Sequence, residues 1–164
     1  MTTLCIGILQ RVDVSVRETQ AVILTNSDGD ARIFRSIITD LCHGDTGVCE
    51  AATIKLSPLP ILVDTIGPIH DMIIHQTASS DHMAIYCVDD GERVFSRHSS
   101  GHMNNAPLGS ALQSIHNWLP KDIQTVVALS TITDDVVEAT TQIMSHPMTI
   151  AVHDEDAYDD DEER

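Results

Sequence analysis

One segment near the C-terminus restricts the fold more than any other. Residues 125–129 (TVVAL) are a short apolar run rich in β-branched side chains. Thr131 or Thr133 can cap a helix after it, and Asp134 and Asp135 suit the positive end of a helix dipole. Val136, Ala139, Thr140, Ile143 and Met144 then recur at helical spacing. His146 and Pro147 stop that helix, and residues 148–152 read as another strand. Strand, helix and strand in so short a span make a βαβ unit, which places two parallel strands in one sheet. The expected class is therefore α/β or α+β.

The rest of the chain interleaves the same signals. Residues 4–9 and 21–25 read as strands, and residues 26–30 (NSDGD) as a turn. Ile33, Phe34, Ile37, Ile38 and Leu41 fall on one face of an amphipathic helix. Asp28 or Asp30 caps its start and Gly44 ends it. Residues 52–56 and 61–63 read as short strands. Residues 71–75 and 83–88 read as a hairpin joined by the polar stretch 76–81, and residues 97–105 as a loop. Pro107 opens a helix carrying Leu108, Ala111, Leu112, Ile115 and Trp118. A hairpin early and a crossover late predict a single domain over residues 1–153, with a mixed sheet covered by about three helices. Hydrophobic residues are 42% but aromatics only 3%, so the core must be aliphatic around Phe34, Phe95 and Trp118. Residues 21–34 (AVILTNSDGDARIF) and 83–95 (MAIYCVDDGERVF) echo each other: apolar strand, acidic turn with Gly, Arg, β-branched residue, Phe.

Charge narrows the partners. The net charge is −16, of which residues 154–164 carry −7. That tail holds Asp154, Glu155, Asp156, Asp159, Asp160, Asp161, Glu162 and Glu163. Acids so dense repel one another and bury no apolar area, so the tail is expected to be disordered and to act as a handle for a basic protein surface. Lys is limited to Lys55 and Lys121, which speaks against nucleic acid and anionic membrane as partners. No apolar stretch approaches the ~18–20 residues that span a bilayer. With no secretory signal, the four cysteines are expected as thiols in a cytoplasmic or nucleo-cytoplasmic setting.

Motifs that need fixed spacing are missing. G-x-x-x-x-G-K-[ST], G-x-G-x-x-G and G-x-S-x-G do not occur. Asp28-Gly29-Asp30 and Asp89-Asp90-Gly91-Glu92 lack the 12-residue ligand frame of a calcium loop and read as turns. Cys42, His43 and Cys49 lack both the spacing and the second ligand pair of a zinc site. No metal and no cofactor are expected. The leading expectation is a non-enzymatic interaction or assembly adaptor that acts through its surface and tail, with homo- or hetero-oligomers open to it. Its element order is compatible with the longin and roadblock adaptor folds, an analogy of fold alone. The first alternative is a small hydrolase or transferase whose site assembles in space from His70, Asp71, His75, Cys87, His98 and His102. The second is a viral or fast-evolving accessory protein. Deletion of residues 154–164 should leave the melting temperature within about a degree, because ordering such a tail costs ~1–2 kcal/mol per residue with nothing apolar to offset it. A thermal melt of the truncated chain checks this.

Overall fold

The computed structural model describes residues 1–13, 15–42, 59–99, 109–144 and 146–152. Four short strands are β1 (Ala21–Leu24), β2 (Ile61–Asp64), β3 (Ile85–Val88) and β4 (Gln124–Val127). They lie in the order β2-β1-β3-β4, and every pairing is parallel. The single α/β domain is as expected, but the sheet is parallel rather than mixed. The difference comes from residues 71–75, which are helical and not one arm of a hairpin. They belong to α3 (Ile66–Ile74), with His75 as its C-cap. Pro68 sits in the first turn, where a missing N–H costs nothing, so it starts this helix instead of breaking it.

Two other expectations change. Residues 4–9 are not a strand but lie in α1 (Thr2–Leu9), which buries Cys5 and Ile8 one turn apart. An apolar run this short carries no period that separates strand from helix. Residues 148–152 are not a strand either, so the C-terminal βαβ unit stops at its helix. Met148, Ile150 and Val152 are 84%, 80% and 89% exposed. The tail and the expected strand at 52–56 lie outside the described residues.

Both faces of the sheet are covered. Val22, Leu24, Leu62, Tyr86 and Val88 point to one side, where α3, α4 (Gly91–Ser99), α5 (Ser110–Trp118) and α6 (Asp134–Ile143) pack. Ala21, Ile23, Ile61, Val63, Ile85 and Cys87 point to the other, beneath α1 and α2 (Asp28–Leu41). This alternation follows from the period of two along a strand. Strands wedged between two helical layers must be apolar throughout, and β1 and β3 are fully buried at all four positions.

On α2, Phe34 and Ile38 are buried and Ile37 and Leu41 lie at the edge of the same cluster, whereas Ile33 is 48% exposed. The cap is Ser27 rather than an aspartate. Its hydroxyl oxygen accepts from the Asp30 N–H at 3.2 Å, and its O–H donates to Asp30 Oδ2 at 2.6 Å. Arg35 fixes the other end of the layer by donating to the Val63 carbonyl at 2.8 Å.

The echoing segments 21–34 and 83–95 each form strand, turn and helix, and their strands are neighbours in the sheet. Their phenylalanines enter opposite layers. After β3 the turn runs through Asp90, at φ 52, into Gly91. A Cβ on Gly91 would stand 2.7 Å from Val127 Cγ1, 2.8 Å from Leu129 Cδ2 and 3.2 Å from Phe95 Cε2. Gly91→Ala should therefore cost about 1–3 kcal/mol through overpacking. Urea unfolding should show a lower midpoint with an unchanged slope.

Candidate functional site

The carboxyl ends of the four parallel strands open on one edge of the sheet. The chain leaves β1 toward the α2 face and leaves the adjacent β3 toward the α4 face. Connections that depart to opposite sides leave a crevice between the two strands, the usual ligand position in open α/β sheets.

Asp89 stands at this crevice. Its N–H donates to the Leu24 carbonyl at 2.9 Å and extends the ladder between β3 and β1. Burial pushes its carboxyl above the usual carboxylate range, and the charges of Asp30, Asp90 and Glu92 push the same way. The amino group of Met1, at the start of α1, opposes them. Asp90 is likewise raised by burial, with Glu92 and Asp30 adding to it, while Arg93 at 3.3 Å pulls it back.

Glu92 goes the other way. Burial raises it, but hydrogen bonds from the Ser130 hydroxyl and N–H outweigh burial and leave it below its ordinary value. The Ser130 N–H donates to Glu92 Oε1 at 3.1 Å, and the Ser130 hydroxyl donates to the same oxygen. Gly91 N–H donates to the Ala128 carbonyl at 3.0 Å. Two loops 38 residues apart in sequence, one after β3 and one after β4, are thereby joined.

A cavity of about 400 Å³ opens beside the crevice, at the ends of β1 and β2. Thr25, Asn26, Ser27, Thr65 and Gly67 line it. α3 begins here without a side-chain cap and without an acid in its first turn. The N–H groups of Ile66 and Gly67 are among the first donors of that helix, which no intrahelical carbonyl satisfies.

None of the five described candidate residues from the sequence falls at this edge. Asp71 and His75 are exposed on α3 and at its C-cap, and His70 is half-buried beside them. Cys87 is buried in β3 on the α1/α2 side, so the sheet separates it from α3. Burial raises its thiol to about 12. His98 lies on α4, and His102 lies outside the described residues. Among the described residues no group of three or more His, Cys, Asp or Glu is placed to hold a metal. None of their helices is long and apolar enough to cross a membrane. In the sequence alone, residues 89–92 read as a turn. Its available signal was the buried apolar run 85–88 delivering two acids directly at a strand end.

No family model matches the chain. It is 28% identical over 164 residues to eukaryotic initiation factor 4A of Drosophila melanogaster, covering 94% of this chain and 38% of that protein. It is also 28% identical over 160 residues to the ATP-dependent RNA helicase eIF4A of Mycosarcoma maydis, covering 92% and 37%. The chain thus spans less than two fifths of the curated relatives it matches. Among solved structures, Saccharomyces cerevisiae Dbp5 bound to RNA and ADP BeF3 superposes with a TM-score of 0.73 at 19% identity, over 93% of this chain and 38% of that one. A DEAD box protein of Methanococcus jannaschii superposes with a TM-score of 0.68 at 15% identity, over 88% and 40%. These likenesses correct the expectations of a non-enzymatic adaptor, of a chain that leans away from catalysis, and of one without nucleic-acid partners. The Mycosarcoma maydis relative is named as an ATP-dependent RNA helicase, and the Dbp5 structure holds RNA. The likeness to these solved structures shows the fold alone: an α/β domain around a four-stranded parallel sheet.

Proposed function

We propose that the chain acts as one RecA-like half of an ATP-dependent RNA helicase, with the β3 edge facing the magnesium ion of a bound nucleotide. The observation that carries this reading is Asp89: a half-buried acid at the topological switch point, raised by burial and by three neighbouring acids. Such a group is best satisfied by a cation. Magnesium is ordinarily held by one or two carboxylates together with phosphate oxygens and waters, not by a cage of protein ligands alone. The lone acidic edge, without a three-ligand cluster among the described residues, fits that pattern. Asp89 would hold the ion, with Asp90 beside it, and the bound ion would neutralise charge on the transferring phosphoryl group. Glu92 then keeps the loop after β4 in register with that edge through Ser130.

The phosphate cradle is a separate matter. The 164 residues contain no G-x-x-x-x-G-K-[ST], so they supply the cation side of such a site and not its phosphate loop. For RNA, the uncapped start of α3 supplies what the scarce lysines do not. Backbone N–H groups at a helix N-terminus bind phosphate without a basic side chain; Thr65, Asn26 and Ser27 line the same cavity, and Asp28 is the one acid among its lining residues. A cytoplasmic or nucleo-cytoplasmic setting accords with this reading.

Two measurements test it. Asp89→Asn removes a charge that the fold resists, so without metal it should raise the melting temperature by a few degrees at neutral pH. The sign follows from linkage: a raised folded-state pKa means the folded chain holds the proton more tightly, so the penalty exists above that pKa and fades as pH falls through it. The gain from Asp89→Asn should shrink accordingly as the pH is lowered. Second, Mg²⁺ with ADP and beryllium fluoride should raise the melting temperature of the wild-type chain, more so with a single-stranded RNA, and should leave Asp89→Asn unmoved. If magnesium, nucleotide and RNA shift neither protein, the helicase reading is wrong.

A further inference from the structure

We infer, on the reading above that an RNA phosphate is bound at the start of α3, that Arg35 and Asp64 are positioning residues for it. Their ion pair sets the spacing between the two walls of the cavity. Neither side chain touches the RNA in this role.

Asp64 closes β2, and its oxygens are committed to different places. The carbonyl accepts from the Thr25 N–H at 3.0 Å, which carries the ladder between β1 and β2 one step past the strand ends. Oδ1 accepts from the Thr65 N–H at 2.8 Å, at the N-cap of α3. Oδ2 faces Arg35 Nη1 at 3.7 Å. The same nitrogen donates to the Val63 carbonyl at 2.8 Å. Thr25, Asn26 and Ser27 form one wall of the cavity, and Thr65, Ile66 and Gly67 form the other. Asp64 thus holds one wall by its main chain and the other by its side chain, and Arg35 holds the side chain of Asp64.

The second wall is the one that needs holding. The Thr65 side chain makes no cap hydrogen bond, so the Asp64 carboxylate is what restrains the entry to α3. A carboxylate bonded only to the next N–H along the chain is free to turn. A guanidinium anchored on a strand carbonyl removes that freedom.

Stability does not account for the pair. The two side chains are 20% and 14% exposed, so their desolvation cancels much of their attraction. Phe34 and Ile38 already bury α2 against the sheet. What the pair adds is geometry, and with it charge balance. Asp28 lines the cavity as an acid, and Arg35 keeps Asp64 from acting as a second one against an incoming phosphate.

The test titrates the full 164-residue chain with a fluorescent single-stranded oligouridylate, read by anisotropy with Mg²⁺, ADP and beryllium fluoride at several salt concentrations. Arg35→Gln and Asp64→Asn should each weaken RNA binding about tenfold, as the loss of one charge-assisted contact would. The double variant should bind no more weakly than either single one, because the two residues act as a unit. Arg35→Lys, which keeps a cation with donors for both oxygens, should recover most of the affinity. The dependence of affinity on salt should keep its wild-type slope in Arg35→Gln, since no phosphate contact is lost. The rise in melting temperature caused by Mg²⁺, ADP and beryllium fluoride without RNA should stay as in the wild type. Amide exchange at Thr65 should quicken in both single variants without RNA, a readout independent of the ligand. Wild-type RNA affinity in both single variants would overturn the inference and leave the helicase reading standing. So would a salt slope reduced by about one in Arg35→Gln, which would make Arg35 a phosphate contact. A wild-type chain that binds no RNA would overturn the helicase reading and this inference with it.

Discussion

Everything in this molecule depends on burying both faces of one small parallel sheet. β1 and β3 have no solvent side, so each of their residues must be apolar and each face must receive helices. A fully buried Val, Leu or Ile contributes ~1.5–3 kcal/mol, and the two central strands supply eight buried residues between them. With only 3% aromatics, the layers close by aliphatic packing around two phenylalanines, one in each. The same requirement fixes the polarity of the sheet. Parallel strands need helical crossovers, and crossovers bring every strand end to a common edge.

The acidic character of that edge is a consequence of the crossovers and not of overall composition. Asp30, Asp89, Asp90 and Glu92 come from two turns that approach only because β1 and β3 are neighbours. Their mutual repulsion is partly relieved in three different ways: by the amino group at the start of α1, by Arg93, and by the hydrogen bonds of Ser130. Asp89 is the one placed at the switch point. Scarcity of lysine argued against phosphate ligands when charge was summed along the chain. The proposed reading turns on local geometry instead, because helix N-termini and a cation need no basic side chain.

Much of the architecture was legible in the residues. The apolar runs at 21–25 and 125–129 are strands, the stripe through Phe34 and Ile38 is a helix, and Thr133 caps α6 by accepting from the Val136 N–H. What failed were segments whose pattern suits two structures. Residues 66–74 (IGPIHDMII) are rich in β-branched side chains, yet a proline in the first turn and burial of Ile66 and Ile69 make them helical. Residues 148–152 carry a strand pattern, but a strand exists only where an edge receives it. The site was written in the sequence as turns. Asp89 and Glu92 have their surroundings from the strands on either side of β3, β1 with its turn for one and the loop after β4 for the other, and a linear reading holds no information on who those neighbours are.

The contact between Glu92 and Ser130 has a kinetic side. Ser130 is exposed, so water competes for the same carboxylate oxygen at every moment. A hydrogen bond to a charged group contributes ~1.5–3 kcal/mol at best, and less where solvent reaches it. At this point the two loops are therefore held together only lightly. Each loop opens directly into a helix on the same face of the sheet, α4 from one and α6 from the other, and those helices touch. A ligand that prefers one arrangement need add only a slight bias for the packing of α4 against α6 to follow, and the edge would then work as a detent between two settings rather than as a fixed brace.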